Sequence, residues 1–302
     1  MLVSTNTEPL INRFGFKDTL KILKDAGFTA FDLSLCGGKA SAPHSPFDGD
    51  DYLAVAHELR RYADGMGLPC NQAHAVFGSQ FGAAKPGTPI FENTVRCMEI
   101  ASVMGADCIV IHPMQYLPYM SNVEFLKQEN LTFYTDLVPY AEKLGIIMLT
   151  ENMWQKNENN GCIIQSTCAE AGEFCEYVDM INSPYLKACL DIGHTYLTGE
   201  SVPHMVKALG KERLRALHIH DVDGIGDSHT LPFTLKVDFN EMADALGEIG
   251  YSGDITFEAH SFFTRFPNEL IPSAARLMAD VGHYLKNQVE RKTADKEQLF
   301  NA

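Results

Sequence analysis

The sequence lacks a long hydrophobic run. In its 302 residues, no apolar stretch approaches the roughly 18 residues that a membrane-spanning helix needs. Residues 1–10 also lack the basic start and apolar stretch of a secretory signal. We therefore expect a cytoplasmic protein that does not engage a membrane.

Basic residues are scarce relative to acidic ones. The chain has 24 Lys plus Arg against 39 Asp plus Glu, a formal net charge of −15. Proteins that bind phosphate backbones do so through clustered Lys and Arg, and no such cluster follows the predicted strands. The composition argues against a nucleic-acid partner and favours a small-molecule substrate.

Cysteines at the spacing of metal or redox motifs are also missing. None of the eight cysteines forms a C-x-x-C pair, and Cys108 and Cys189 fall in predicted buried strands. We interpret all eight as free thiols that act as small apolar residues in a reducing cytosol.

The sequence also lacks a glycine-rich dinucleotide-binding turn. This absence weakens the alternative fold of a doubly wound sheet. Instead, eight short and mostly apolar runs alternate with helical patterns without a linker. The predicted strands are 2–5, 29–34, 68–74, 107–112, 146–151, 187–191, 214–220 and 254–259. We predict a single (β/α)8 TIM barrel over residues 1–290, with its active site at the carboxyl rim of the strands, and a charged tail over 291–302.

Four predicted helices end at a glycine that closely precedes the next strand. The segments 16–26, 92–104, 130–144 and 239–249 are followed by Gly27, Gly105, Gly145 and Gly250. Glycine after a helix typically adopts the left-handed conformation that ends it. The repeated order of helix, glycine and strand supports the α/β barrel.

Single side chains of metal-ligand type end six of the predicted strands. They are His74, His112, Glu151, Asp191, His220 and Glu258. Because a parallel barrel places its strand ends at one rim, we expect them to meet. Burying three carboxylates there is costly unless a cation compensates them. The mixed oxygen and nitrogen donors favour Mn²⁺ or Zn²⁺, with Mg²⁺ and Co²⁺ as alternatives.

Two histidines compete for one ligand position. His218 and His220 share a strand face by period two, so either could ligate. We favour His220 because it lies nearer the carboxyl end. Asp32, which ends the second strand, is also expected near the barrel mouth, where a structural role is the more common outcome.

Four short motifs fall at these strand ends: ENMW at 151–154, LDIGH at 190–194, HIHDVDG with DSH at 218–229, and FEAH at 257–260. Together they resemble the xylose-isomerase-like barrel superfamily of sugar phosphate isomerases and epimerases. The resemblance covers about residues 1–290. Its ketose 3-epimerase branch implies one metal held by Glu151, Asp191, His220 and Glu258, with a substrate contact from His194. That branch has an Arg where this chain has Gly226, so its other substrate contacts do not carry over.

A second branch of the superfamily is the trinuclear-zinc endonuclease that cuts at abasic DNA sites. Its ligand set resembles His74, His112, Glu151, Asp191, His194, His220, Asp227, His229 and Glu258. The short loop between His220 and Asp227 and the shortage of basic residues argue against that activity. Inosose dehydratases form a third branch with the same core ligands. His74, His112, His194, Asp227 and His229 are therefore candidates for additional metal or substrate contacts.

The resemblance implies a metal-dependent isomerase or epimerase of a sugar, sugar phosphate or polyol. A metal-stabilised enediolate would form when Glu151 or Glu258 moves the proton next to the carbonyl. Trp154 and Lys236 are candidates for the substrate pocket, although a packed wall residue and a solvated lysine are the common alternatives. The family also implies a homo-oligomer.

Overall fold

Short strands alternate with helices along the part of the chain that the computed structural model describes, residues 1–35, 45–80, 82 and 84–300. The strands are β1 (Val3–Thr5), β2 (Phe31–Ser34), β3 (Cys70–His74), β4 (Cys108–Val110), β5 (Ile147–Glu151), β6 (Trp154–Lys156), β7 (Ile163–Gln165), β8 (Leu186–Asp191), β9 (Leu214–His218) and β10 (Ile255–Phe257). The helices are α1 (Glu8–Phe14), α2 (Phe16–Ala26), α3 (Tyr52–Gly65), α4 (Pro89–Met104), α5 (Val123–Leu144), α6 (Ala171–Ile181), α7 (Ile192–Leu197), α8 (Val202–Arg213), α9 (Phe239–Ile249), α10 (His260–Thr264) and α11 (Ile271–Phe300).

A curled parallel sheet forms the centre of the fold. Six strands are hydrogen-bonded in the order β2-β3-β4-β5-β8-β9, and β1 pairs in parallel with β10. Single backbone bridges join Asn6 to Asp32 and Ile219 to Phe257, so the β1–β10 pair touches both edges of the six-stranded sheet. All eight predicted strands are present. The antiparallel pair β6–β7, which lies outside this sheet, was not predicted.

The four glycines predicted to end helices do so. Gly27, Gly105, Gly145 and Gly250 have φ values of 103°, 85°, 65° and 71°, in the left-handed region. Helix α4 begins earlier than predicted because the hydroxyl of Thr88 accepts a hydrogen bond from the backbone N–H of Phe91, and Pro89 fits the first helical position.

Two apolar layers support the rim. The larger one lies between the sheet and the helices. The smaller one lies on one face of the sheet and consists of Cys108, Val110, Leu149, Cys189 and Ala216. Because side chains two residues apart share a strand face, the residues two positions further along extend this face to the strand ends. These include Glu151, Asp191 and His218.

Three sequence predictions concern features outside the sheet. The seven cysteines within the described ranges are free thiols, and Cys36 lies outside those ranges. Among the described residues, no helix has both the length and the apolar character to cross a membrane. Helix α11 continues past residue 290 to Phe300. The division of the chain at residue 290 therefore stays a prediction.

Candidate metal centre and active site

Four buried side chains meet where strands β5, β8, β9 and β10 end. We call Glu151, Asp191, His218 and Glu258 the strand group. One ligand atom from each lies within 4.8 Å of those of the others. The Nδ1 atom of His218 is 3.0 Å from Glu151 Oε1 and 3.4 Å from Glu258 Oε2. The three carboxylates predicted to meet at one rim therefore do so.

A second set of ligand atoms lies beside the first. We call His194, His220, Asp227 and His229 the loop group, because three of the four come from the segment after β9 and the fourth from helix α7. Asp227 Oδ2 is 2.9 Å from His229 Nε2 and 3.3 Å from His194 Nε2. The rings of His220 and His229 stack with their centroids 3.9 Å apart.

His74, at the end of β3, and His112, two residues after β4, extend the site. Their Nε2 atoms are 3.1 Å apart, and His112 Nε2 is 3.1 Å from Glu151 Oε2. His74, Glu151 and His218 form a further set whose ligand atoms lie within 4.8 Å of one another. Glu151 and His218 are thus shared between two sets, and all nine residues named from the sequence lie in one continuous site.

The structure places His220 differently from the predicted four-residue set. His218, and not His220, contributes the nitrogen nearest to Glu151 and Glu258. His220 lies above it, with Nε2 3.0 Å from both carboxylate oxygens of Asp191. The reason is that β9 ends at His218, so the last ligand position on the strand comes two residues earlier than expected. Sequence periodicity admitted His218 but could not locate the end of the strand.

Backbone carbonyls fix which ring nitrogen three of the histidines present to the site. Nδ1 of His74 is 2.9 Å from the carbonyl oxygen of Ala75, Nδ1 of His194 is 2.9 Å from that of Asn152, and Nδ1 of His229 is 2.7 Å from that of Glu258. A carbonyl oxygen only accepts hydrogen bonds, so each Nδ1 carries the proton. Nε2 is then the atom that faces the other ligands, as in many metal sites.

Asn152 and His260 were not assigned a role from the sequence. The side chain of Asn152 donates to the carbonyl of Asp191 and accepts from its backbone N–H, at 3.0 and 2.8 Å. This holds the start of α7, and with it His194, against the end of β5. The ring of His260 stacks on His229 with centroids 4.1 Å apart. The ENMW and FEAH motifs contained both residues but gave no sign of these contacts.

The charges in the site compensate one another. Burial alone would raise the pKa of Glu151, but His218 and His112 hold it well below its usual value. Burial alone would lower the pKa of His229, yet the hydrogen bond to Asp227 and the nearby carboxylates raise it to about 9. Burial raises the pKa of Asp32 to about 7. In this arrangement, the positive charge of protonated histidines compensates the buried carboxylates, as a bound cation would.

One buried carboxylate anchors the loop that carries Asp227 and His229. The oxygens of Asp221 accept hydrogen bonds of 2.7 to 3.0 Å from five backbone N–H groups. The donors are Val222, Thr234, Leu235, Lys236 and Val237. Both ends of the loop, at Val222 and at residues 234–237, are therefore fixed to Asp221 just after β9, and this positions the loop group.

The two predicted substrate residues have different environments. The indole Nε1 of Trp154 donates to Asp227 Oδ2 at 3.2 Å, so Trp154 borders the loop group. Lys236 is exposed, and the structure gives its side chain no contact with either group among the described residues. A cavity of about 410 Å³ follows Trp154 along the rim, between segment 115–121 and the β6–β7 hairpin.

The donor set fits a divalent cation. Three carboxylates and an imidazole form the strand group, and three imidazoles and a carboxylate form the loop group, which are the donor types of Mn²⁺ and Zn²⁺. His220 Nδ1 and Asp227 Oδ1 are buried and lack a hydrogen-bond partner among the described residues. Buried polar atoms are rarely left unpaired, and a cation would satisfy the carboxylate oxygen.

Relatives of this chain include both enzymes and proteins of unknown role. A protein of Methanocaldococcus jannaschii named only as uncharacterized is 28% identical over 234 residues, which are 75% of this chain and 73% of that one. A fructoselysine 3-epimerase of Escherichia coli O157:H7 is 30% identical over 139 residues, or 46% of each chain.

Solved structures share the fold across nearly the whole chain. An L-ribulose 3-epimerase has a TM-score of 0.71 at 15% identity, covering 100% of this chain and 98% of that one. The IOLI protein with a bound zinc atom has a TM-score of 0.72 at 18% identity, covering 96% and 98%. Residues 20–281 match the family described as xylose isomerase-like TIM barrel. The chain therefore belongs to the xylose isomerase-like TIM-barrel family.

Proposed function

We propose that this protein is a divalent-metal-dependent isomerase or epimerase of a sugar, sugar phosphate or polyol. The observation that carries the proposal is the strand group, in which two glutamates, an aspartate and a histidine bring their ligand atoms within 4.8 Å. The structural neighbours include an L-ribulose 3-epimerase and a D-tagatose 3-epimerase-like protein, which is consistent with such a reaction. Their low identity supports the fold, whereas the chemistry here is argued from the site.

Glu151, Asp191, His218 and Glu258 would hold the principal ion, with Mn²⁺ or Zn²⁺ as the metals that suit them best. When bound, a divalent ion supplies Lewis-acid charge that makes a proton next to a sugar carbonyl more acidic. The loop group would hold a second ion. His74 and His112, which lie beside Glu151, could complete a third position.

Glu151 and Glu258 are the proposed proton-transfer groups. They come from different strands, β5 and the end of β10, and both reach the same small volume. The lowered pKa of Glu151 keeps this carboxylate ionised, which is the state that accepts a proton. Return of the proton by the other glutamate to the same carbon would give an epimerase, and return to the neighbouring carbon an isomerase.

The surroundings of the site suit a small polar substrate. Trp154 borders the loop group and presents an aromatic wall. A cavity of about 410 Å³, a size typical of ligand pockets, is lined by Gln115 and Asn157 and lies beyond Trp154, although no residue of either group lines it. Amides and aromatic rings are groups that bind the hydroxyls and the faces of sugars.

Hydrogen exchange tests the proposal directly. The manganese- or zinc-loaded protein is incubated in deuterium oxide with a panel of ketoses and inososes, and loss of the substrate α-hydrogen is followed by NMR. We expect exchange with at least one member of the panel. Glu151→Gln and Glu258→Gln should each slow it by about 10²–10⁴-fold, the usual contribution of a general acid or base.

Glu241→Gln provides the matched control, because Glu241 is an exposed carboxylate on α9. It should exchange the hydrogen at the wild-type rate. Near wild-type exchange in either Glu151→Gln or Glu258→Gln would remove that residue from the mechanism. Absence of metal binding in the wild-type protein would overturn the proposal altogether.

Two alternatives use the same residues. The gathering of all nine ligand-type residues favours a multinuclear site, and a probable endonuclease 4 of Mesomycoplasma hyopneumoniae is 26% identical over 148 residues. Incision of an abasic duplex, with a steep loss of activity as salt rises, would establish this reading. Loss of water from an inosose in place of simple proton exchange would establish a dehydratase.

The eight parallel strands, we further infer, close into one (β/α)8 barrel. The two bridges from Asn6 to Asp32 and from Ile219 to Phe257 support this, because they link the β1–β10 pair to both free edges of the six-stranded sheet. A homo-oligomer is also proposed from the family resemblance, and its measurement is the mass of the protein in solution.

A further inference from the structure

His218 presents a different ring nitrogen to the site than three of the other histidines do. His74, His194 and His229 each have Nδ1 on a backbone carbonyl and direct Nε2 to the site. In His218, Nδ1 is the atom near Glu151 and Glu258. Its Nε2 therefore points away from the strand group, and that nitrogen has no hydrogen-bond partner within the described residues.

Asp32, at the end of β2, faces this nitrogen. The Oδ2 atom of Asp32 is 4.0 Å from His218 Nε2, and both residues are fully buried. Neither carboxylate oxygen of Asp32 has a hydrogen-bond partner in the part of the chain that the structure describes. An unpaired carboxylate in an interior is costly and is rarely kept without a role.

Gln72 supplies a second donor on the same face. Asp32 and Gln72 are aligned in the register of β2 and β3, so their side chains leave the sheet in the same direction. The side-chain Nε2 of Gln72 is also buried and unpartnered among those residues. Gln72 thus adds a second buried donor without a partner to the face of the sheet that carries Asp32.

We propose that Asp32 is the positioning residue of His218: it accepts the Nε2 hydrogen and thereby keeps Nδ1 available as the metal ligand. The 4.0 Å separation exceeds a direct hydrogen bond, so the proposal requires a small movement of the ring to complete the contact. The ring of His74 stacks on that of His218 with an interplanar angle of 11°. This stacking limits the other orientations that the His218 ring can adopt. The inference rests on the proposed metal function of the strand group.

Zinc affinity in three variants tests this role. Asp32→Leu removes the acceptor, and we expect it to weaken the first zinc by about 10–100-fold, the usual effect of losing an outer partner of a ligand histidine. Asp32→Asn keeps an acceptor oxygen without the charge, so it should retain most of the affinity. Cys189→Ala is the matched control, because the Cys189 thiol also lies beside the His218 ring. It should leave zinc affinity within about threefold of wild type.

A second readout needs neither activity nor metal. NMR of the metal-free protein, labelled with ¹⁵N at histidine, reports the hydrogen on His218 Nε2. We expect it to be protected from solvent exchange in the wild type and in Asp32→Asn, and lost in Asp32→Leu. A protein that binds no zinc would end the metal function, yet this experiment would still decide the role of Asp32.

Two results would overturn the assignment. One is a wild-type zinc affinity in Asp32→Leu together with an unchanged Nε2 signal. The other is a loss of affinity in Cys189→Ala equal to that in Asp32→Leu, since the thiol would then be the partner of the ring. Where Asp32→Leu does not fold, Asp32→Ala removes the acceptor with a smaller side chain, and the protected Nε2 signal should be lost there as well.

Discussion

The strand group and the loop group contain similar donors but are held in different ways. The strand group stands on the ends of β5, β8, β9 and β10, directly above a small apolar layer. The loop group depends on helix α7 and on a loop whose fixed points are hydrogen bonds to Asp221. Strand ends cannot move without disturbing the sheet, whereas a loop can. Under the proposed function, we therefore expect the strand group to be the more rigid of the two groups and the loop group the more adaptable.

The largest expected effect separates the two neighbouring histidines of β9. His218→Ala should weaken the first zinc by more than about 100-fold, since the loss of a direct ligand exceeds the loss of an outer partner. His220→Ala should weaken that ion by no more than about 10–100-fold, because His220 is only an outer partner of Asp191, and should weaken the second ion directly, because His220 belongs to the loop group. Competition with a chelator measures both ions. Equal losses of the first zinc in the two variants would show that the groups are not separate.

A glycine in α7 offers a smaller test of the loop group. A Cβ added to Gly193 would lie 2.1 Å from the His220 ring, so Gly193→Ala must push the ring away. We expect the free energy of unfolding to fall by about 1–3 kcal/mol, as in other overpacked sites. In α6, Gly172→Ala is the control: no atom lies within 4 Å of its new Cβ, and it should stabilise the protein by about 0.4–1 kcal/mol. Denaturant unfolding of the metal-free proteins measures both.

The smallest effect is expected from pH, which changes the metal affinity of the loop group gradually. A metal in the loop group requires neutral His229, whose pKa is raised to about 9. Although burial opposes it, the carboxylates of Asp191 and Asp227 also raise the pKa of His194, a second member of the group, well above its usual value. The affinity should therefore rise by at least about tenfold per pH unit up to about 9, with proton release on binding. The metal-free protein behaves oppositely: the raised pKa contributes stability that is complete below the ordinary histidine value and is lost as pH rises through about 9. A flat affinity between pH 7 and 9 would contradict this.

Much of the fold could be predicted because it depends on local patterns. The apolar runs gave all eight parallel strands, and Gly27, Gly105, Gly145 and Gly250 end their helices as predicted. The β6–β7 hairpin was missed, since Trp154–Lys156 is a short and largely polar segment without the alternation of a strand. Its strands pair with each other outside the central sheet.

The sequence predicted which residues meet at the site, but not how they divide into the strand group and the loop group. Residue type and strand ends identified Glu151, Asp191 and Glu258, whose convergence follows from parallel topology. The choice between His218 and His220 depended on where β9 ends, and a shift of two residues keeps the same face and so leaves no trace in periodicity. The contacts of Asn152 and His260 are made across the chain, with partners that sequence order does not indicate.

The anchoring of the loop by Asp221 has a consequence for divergence. One acidic side chain secures the segment through main-chain donors alone, so the identities of the side chains at 234–237 play no part in that attachment. Apart from the ligands Asp227 and His229, such a segment can exchange its side chains, including those at its tip around Gly224, while the sheet beneath stays the same. Because a single aspartate holds this segment, its sequence can change, and with it the substrate that is bound, without changes in the strands and helices.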